Sequence, residues 1–411
     1  MEYSYINIDY SPNFDDKIKK VLVNKLSEVG MTPSFISATT FSLDSIKNVL
    51  GTAPNDLVIV ALSSDYKKNI ELKNELCTLL NTFLVKNTAC SFAIESFLRL
   101  YNGKIDNNQD FENECLIPDG AEPLVSDKGF VQGYMLNFKN MNFCFLPPEE
   151  TQVIDILDSK LKILLKKIYS IPSNIMYLKA FGLNYSQVDK VLNVFKNNSM
   201  GITLSYSTEL FDTKICIGYS DSTDTNELNN FISQICETMK KYIYATEDIS
   251  IQNMALDLSN IAGKKISLLE SLTNGQVYID YLDSNYKVAK KSFATTTVCR
   301  HVSDLNYLSS LDRNMITSNG LYSVESVYEI ATAVLNENNC DIAVVSIASY
   351  DENTNNCISI IAVGDVDGIH IYKNVYNDKF INIKKIISNS ISSNLIKKLK
   401  QNDFENRVLI N

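Results

Sequence analysis

The sequence has few of the residues and runs that mark several large protein classes. Only two of its 411 residues are histidines, so a metal site built from imidazoles is difficult to assemble. Its nine cysteines form no CxxC pair, and the odd count predicts buried, reduced thiols in a cytoplasmic protein. No stretch reaches the about 18 uncharged apolar residues of a membrane-spanning helix. The first residues lack the basic and apolar regions of a signal peptide, so we expect none.

The overall composition is that of an acidic globular protein. Hydrophobic residues make up 45% of the chain and charged residues 21%, which excludes a disordered chain. The net charge of −10 repels phosphate backbones and disfavours non-specific nucleic-acid binding. A chain of this length predicts two or three domains.

The first part of the chain alternates strand and helix patterns. The segments 3–8 and 32–38 have the apolar pattern of strands, and a helical spacing between them ends at Gly30. The run 56–62 (DLVIVAL) is continuously apolar, as expected of a strand buried on both faces. This alternation predicts an α/β fold with a mostly parallel sheet.

The rest of the chain predicts two further regions. Residues 171–250 indicate a small α+β unit, with a helix over 186–195. From residue 251 the patterns predict strands at 265–269 and 277–281, a helix over 324–336, three more strands and a closing helix over 381–400. We therefore predict domains at 1–170, 171–250 and 251–405.

Several short motifs resemble those of one protein family, in the family's order. They are PDGA at 118–121, FLPPEE at 145–150, LKAFGL at 178–183, YIYATED at 242–248, LESLTNG at 269–275, YSVES at 322–326 and CDIA at 340–343. Together they resemble the CinA (competence/damage-inducible) family. That resemblance implies a molybdopterin-binding-like parallel α/β domain, a small KH-like α+β domain and a C-terminal α/β amidohydrolase-like domain.

The resemblance also implies a serine nucleophile, in a turn that the family writes AESCTGG. The matching serine is Ser271, with Thr273, Asn274 and Gly275 as the ligand-binding turn. In the family a lysine about thirty residues further on deprotonates the serine, which then attacks the carboxamide of nicotinamide mononucleotide. Here the corresponding stretch, 295–302, has no lysine, and an arginine cannot deprotonate at a useful pH. His301 is the candidate substitute base, at a shifted position.

The family's other substrate-binding segments are also altered. Its TGIAGP loop corresponds to 345–350 (VSIASY), where both glycines are gone and Tyr350 is expected to crowd or close the pocket. Lys379 and Lys384 stand near the position of the family's phosphate-binding base. A solvated helix start is the alternative interpretation of these two lysines.

The N-terminal loops have lost the family's glycines. The resemblance implies an ancestral phosphate and metal site, with an ADP-ribose pyrophosphatase activity in the group. The matching loops are 9–13 and 60–69, where the paired acids are replaced by Asn69 and Ile70. A hard cation loses its carboxylate ligands there, so we expect no metal and no cofactor. Asp65 could compensate in part, but a solvated loop acid is the simpler interpretation.

Three hypotheses follow. The first is a degenerate homologue, a homodimeric pseudoenzyme that keeps the fold and binds a small nucleotide or a protein partner, or regulates an active paralogue. The second is a working nicotinamide mononucleotide amidase with Ser271 as nucleophile. The third is RNA binding by the KH-like region, which the absence of a GxxG loop in 171–250 disfavours. We expect no association with a membrane.

Overall fold

The structure is a computed structural model that describes residues 1–9, 16–100, 108–169, 171–196 and 201–403. It divides into two compact units. The first contains residues from 1–175, 199–205 and 216–223, and the second contains residues from 176–198, 206–215 and 224–411. The domain limits proposed from the sequence stay a prediction.

The first region is built on a mixed sheet. Its strands are β1 (Glu2–Asn7), β2 (Thr32–Ala38), β3 (Leu57–Ala61), β4 (Leu84–Lys86), β5 (Leu116–Pro118), β6 (Glu122–Leu124), β7 (Gly133–Phe138) and β8 (Met141–Leu146). Six of them form a sheet of order β2-β1-β3-β8-β7-β6, while β4 and β5 form a separate antiparallel pair. The pairs around β1 and β3 are parallel, and β7 is antiparallel to both its neighbours.

Helices cover both faces of this sheet. They are α1 (Lys17–Ser27), α2 (Leu43–Thr52), α3 (Tyr66–Leu80), α4 (Thr88–Leu100), α5 (Asn108–Glu114), α6 (Glu150–Ile156) and α7 (Lys162–Tyr169), with one π-helical turn at Leu157–Leu161. Every residue of β3 is buried, and its alternate side chains enter two separate apolar clusters. Because a strand points successive side chains to opposite faces, this explains the continuously apolar run at 56–62.

The middle region forms a four-stranded sheet of order β10-β11-β9-β12. Its strands are β9 (Asn174–Phe181), β10 (Thr203–Glu209), β11 (Asp212–Tyr219) and β12 (Ile243–Ala245), and its helices are α8 (Tyr185–Lys196) and α9 (Thr225–Thr238). The predicted α+β character of this region is confirmed.

The last region contains a five-stranded sheet of order β14-β13-β15-β16-β17. Its strands are β13 (Ile266–Glu270), β14 (Phe293–Val298), β15 (Ile342–Asp351), β16 (Asn356–Asp365) and β17 (Gly368–Asn377). Its helices are α10 (Ile251–Ala262), α11 (Gln276–Ser292), α12 (Arg313–Asn319), α13 (Val324–Glu337) and α14 (Phe380–Asp403), with a 3-10 turn at Val302–Leu305. The α/β fold class is confirmed.

One predicted strand is wrong. Residues 277–281 lie in α11 instead of forming a strand, and the strand that pairs with β13 at this edge is β14. Val277 and Tyr281 are both buried. Their separation of four residues also fits one face of a helix, and a short apolar run does not separate the two possibilities.

None of the helices in the described part of the chain combines the length and the hydrophobicity that crossing a lipid bilayer requires.

Candidate functional site

The turn at residues 271–275 follows β13, the strand from which the connections of the last sheet diverge to the two sides. The chain leaves β13 through α11 to β14 on one side, and later returns to β15 on the other side. Both neighbours of β13 are parallel to it. In sheets of this kind, ligands bind outside the carboxyl end of the strand at which the connections diverge. Ser271, Thr273, Asn274 and Gly275 lie at this end of the strand, and their role in catalysis or ligand binding stays a prediction.

The backbone of the turn explains two of its residues. Asn274 has φ of 57° and Gly275 has φ of 95°, both in the left-handed region. Glycine adopts this region freely, and asparagine is among the few other residues that tolerate it. Asn274 thus adopts a backbone conformation that a glycine would also adopt freely. Gly275 then forms the N-cap of α11.

The hydroxyl oxygen of Ser271 accepts a hydrogen bond from the backbone of the neighbouring strand β15. The backbone N–H of Ala348 donates a hydrogen bond to Ser271 Oγ at 3.0 Å. The N–H of Ser271 itself donates to the carbonyl of Ser346 at 3.1 Å. Among the described residues, Ser271 Oγ has no hydrogen bond to a lysine, histidine or carboxylate side chain. An activated serine needs a base within hydrogen-bond reach, and this turn does not provide that contact.

A buried carboxylate organises the start of α11. Glu270 is 1% exposed, and its Oε2 accepts from the Thr273 hydroxyl at 2.5 Å and from the Val277 N–H at 3.3 Å. Burial raises the pKa of Glu270, and these donors oppose the rise only in part. The protein's own acid thus occupies the anion-favouring end of the helix. Thr273 was predicted to bind a ligand, but its hydroxyl donates a hydrogen bond to Glu270.

Replacing Glu270 by glutamine is expected to flatten the pH dependence of stability. Since the folded-state pKa lies above the ordinary value of 4.5, the native state binds more protons than the unfolded chain between those two values. Wild-type stability should fall as the pH rises through this window, and Glu270→Gln should not share that fall. Urea denaturation across a pH series measures both. The expectation is contradicted if the stability of the wild type, measured relative to that of Glu270→Gln, stays constant or increases as the pH rises.

In the segment 295–302, where the family has its catalytic lysine, an arginine side chain contacts the serine turn. Arg300 Nε donates to Asn274 Oδ1 at 3.1 Å, and a guanidinium does not accept a proton in turnover. His301 is exposed. Its backbone N–H donates to Asp304 at 2.9 Å at the start of the 3-10 turn. The structure shows no hydrogen bond between His301 and Ser271, so its role as a base stays an unsupported prediction.

The family's TGIAGP loop is replaced by regular strand. Residues 345–350 continue β15 and pair with β16 through Tyr350 opposite Cys357. The Tyr350 hydroxyl donates to Asn355 at 2.7 Å, and its ring packs against Phe380 with centroids 5.2 Å apart. The backbone of residues 345–350 is extended and hydrogen-bonded to β16, so it does not need the conformational freedom of glycine.

The two candidate phosphate-binding lysines lie at the start of α14. Lys379 is exposed, and its backbone N–H donates to Asp378 at 2.7 Å. The ammonium of Lys384 lies 5.1 Å from the centre of the Phe380 ring. A phosphate role for either residue stays a prediction.

A polar network between α11 and α14 was not predicted from the sequence. The carboxylate of Asp280 accepts from Gln276 at 2.9 Å and from the buried Ser388 at 2.6 Å, and pairs with Lys385 at 3.2 Å. The wrong strand prediction at 277–281 concealed it. The helical spacing of Gln276 and Asp280 is the one signal that could have revealed part of it.

In the N-terminal region, the loop after β3 is held by its own side chains. Asp9 accepts from Ser63 at 2.7 Å and from Lys68 at 2.8 Å. Asn69 exchanges two hydrogen bonds with the backbone of Ser63. Asp65 is the N-cap of α3, where it accepts from the Lys67 N–H. The rest of the first loop, 10–13, lies outside the described residues, and the predicted loss of the metal site stays a prediction.

Several known proteins named competence-damage inducible or CinA-like are similar to this chain in sequence. No family model matches the chain. It is 23% identical over 266 residues to a competence-damage inducible protein of Caldanaerobacter subterraneus, a match that covers 64% of this chain and 63% of that protein. It is 21% identical over 338 residues to a protein of that name in Caldicellulosiruptor saccharolyticus, with 79% of each chain covered. A CinA-like protein of Thermotoga maritima is 20% identical over 341 residues, covering 80% of this chain and 79% of the relative.

A solved structure gives a weaker likeness. CinA of Thermoplasma acidophilum superposes with a TM-score of 0.34 and 15% identity, over 40% of this chain and 97% of that one. The sequence matches span most of the chain, and the short motifs occur in the family's order. Along most of its length the chain is thus similar in sequence to competence-damage inducible and CinA-like proteins.

Proposed function

We propose that this protein retains the CinA scaffold as a pseudoenzyme and does not hydrolyse amides through Ser271. The observation that carries the proposal is the environment of the Ser271 hydroxyl. It accepts the Ala348 N–H at 3.0 Å and has no hydrogen bond to a basic side chain in the described structure. A serine hydroxyl without a neighbouring base is a poor nucleophile at neutral pH.

The alternative function is a working nicotinamide mononucleotide amidase, the activity that the family resemblance implies. Two observations favour it. Ser271 stands at the switch point of the sheet, and Thr273 and Gly275 of the family turn are retained. Against it stand the strand that replaces the substrate loop and the arginine in the segment where the base belongs.

Ammonia release from nicotinamide mononucleotide separates the two functions. We expect the wild type and Ser271→Ala to release ammonia at the same background rate, because the hydroxyl is not activated. Ser303→Ala is the matched control, since it removes a hydroxyl from an exposed residue of the nearby 3-10 turn. A wild-type rate above that of Ser271→Ala, with Ser303→Ala unchanged, would overturn the proposal.

For assembly and location we propose a cytoplasmic homodimer that binds a small nucleotide or regulates an active paralogue. All nine cysteines are free thiols, and seven of them are buried, which suits a reducing compartment. Light scattering of the purified chain tests the dimer, and a mass equal to one chain would contradict it.

A further inference from the structure

A second pocket lies away from the Ser271 turn, among β17, α14 and the strand ends of the middle sheet. Its volume is about 350 Å³, within the range of small-molecule sites. Its lining combines five aromatic rings, two lysines and several small polar side chains. The aromatic residues are Phe181, Phe211, Tyr242, Tyr372 and Tyr376.

One wall of this pocket is a polar stripe on a helix that is otherwise packed into the protein. Ser390, Ser393, Asn394 and Lys397 are spaced by three, four and seven residues, so they lie on one side of α14. The first three side chains are buried. Buried polar groups are normally hydrogen-bonded. In the described structure, the Ser393 hydroxyl and the Asn394 amide N–H₂ have no hydrogen-bond partner, whereas Ser390 is 2.8 Å from the Tyr376 hydroxyl.

The opposite wall is held in place by backbone hydrogen bonds. The N–H of Phe181 donates to the Tyr242 carbonyl at 2.9 Å, and the N–H of Gly182 donates to the Phe211 carbonyl at 3.0 Å. Phe211 itself has φ of 68°, a costly conformation for a large residue. Its ring faces Tyr376 with centroids 6.2 Å apart. The aromatic side chains are thus positioned before any ligand arrives.

The charge of the pocket has one sign. Lys241 and Lys397 line it, and no aspartate or glutamate does. Neither lysine forms an ion pair within the described residues. The Lys397 ammonium has only a 3.5 Å contact with Asn394 Oδ1 and a position 5.7 Å from the centre of the Tyr372 ring. Partial loss of hydration lowers the pKa of Lys397, because it disfavours the charged ammonium. An anion bound in the pocket would stabilise that ammonium.

We propose that this pocket binds a small molecule with an aromatic ring and one phosphate group, such as a nucleoside monophosphate. The ring would contact the aromatic side chains. The phosphate would accept charge-assisted hydrogen bonds from Lys397 and Lys241. Ser393 and Asn394 supply the remaining donors for hydroxyl or phosphate oxygens. The proposal is independent of whether Ser271 is active, because the two sites share no residue.

Isothermal titration calorimetry of the full chain tests this site with adenosine and uridine 5′-monophosphates as probes. We expect saturable binding that Lys397→Met weakens by about tenfold or more, because a charged hydrogen bond to phosphate is lost. Lys373→Met is the matched control. It removes the same charge from β17, but from an exposed residue between Tyr372 and Asn374, on the other face of the strand. Asn394→Asp, which preserves shape and adds a negative charge, should also weaken binding.

The outcomes are decisive in both directions. Binding that is lost in Lys397→Met and Asn394→Asp but kept in Lys373→Met supports the site. The proposal fails if neither monophosphate binds, or if Lys373→Met weakens binding as much as Lys397→Met. It also fails if inorganic phosphate alone binds as tightly as the monophosphates, which would indicate an adventitious ion only. Ammonia release plays no part in this readout, so its result bears on the function proposed for Ser271 alone.

Discussion

Replacing Lys73 by methionine is expected to lower the free energy of unfolding by roughly 3–5 kcal/mol, because it leaves a buried carboxylate without its counter-charge. Lys73 on α3 and Glu114 on α5 have fully buried side chains, and Lys73 Nζ lies 3.3 Å from Glu114 Oε2. The ammonium also donates to the Asn113 carbonyl at 3.3 Å. Urea denaturation followed by far-UV circular dichroism measures the loss.

The loss should depend on pH in a defined direction. Burial already raises the pKa of Glu114, and Lys73 opposes that rise. Without Lys73, the Glu114 carboxyl stays protonated more readily. The loss in the free energy of unfolding caused by Lys73→Met should therefore be smallest at acidic pH. The cost should grow as the pH rises and the carboxyl is forced to ionise.

Two controls separate the ion pair from general effects of the substitution. The double variant Lys73→Met/Glu114→Gln should recover much of the stability, because it leaves no unpaired buried charge. Lys86→Met breaks an exposed pair with Glu112 at 2.8 Å and should cost less than about 1 kcal/mol. Equal costs for Lys73→Met and Lys86→Met would contradict the argument.

The second large effect is expected at Lys398. Its ammonium lies 2.6 Å from Asp365 Oδ1, and both side chains are only 6% exposed. It also donates to the Gly368 carbonyl at 3.3 Å, so one side chain joins α14 to the turn between β16 and β17. We expect Lys398→Met to cost roughly 3–5 kcal/mol, since the Asp365 carboxylate stays buried after its cation is removed.

Thermal unfolding of the full chain, followed by circular dichroism, measures this effect. The control is Lys240→Met, which breaks a 3.8 Å pair with Glu237 in which the side chains of Lys240 and Glu237 are 75% and 78% exposed. That variant should leave the transition almost unchanged, as is usual for surface pairs. If Lys398→Met shifted the transition no more than Lys240→Met, the ion pair would not stabilise α14.

Much of the fold could be predicted because its signals are local. The apolar run at 56–62 became the fully buried β3, and the helical spacing at 381–400 became α14. The strands predicted within 341–376 correspond to β15, β16 and β17. The short segment 277–281 failed because its apolar positions fit either a strand or a helix, and only its packing in α11 decides.

The candidate site could be predicted only in part. The serine turn was identified from residues adjacent in sequence, and the substituted base segment from the absence of a lysine in 295–302. The partner of the Ser271 hydroxyl is Ala348, which is 77 residues away. The second pocket combines five segments of the chain that no local pattern connects.

Local patterns in the sequence predicted most of the strands and helices, the family motifs and the absence of the expected lysine. These depend on neighbouring residues and on the period of apolar positions, which a linear chain displays directly. Which charges are buried together, as with Lys73 and Glu114 or Lys398 and Asp365, depends on the tertiary structure. It also decided that Ser271 bonds to a strand backbone and that lysines and aromatic rings share a pocket. Such contacts arise from chain closure over long separations, which no local preference specifies.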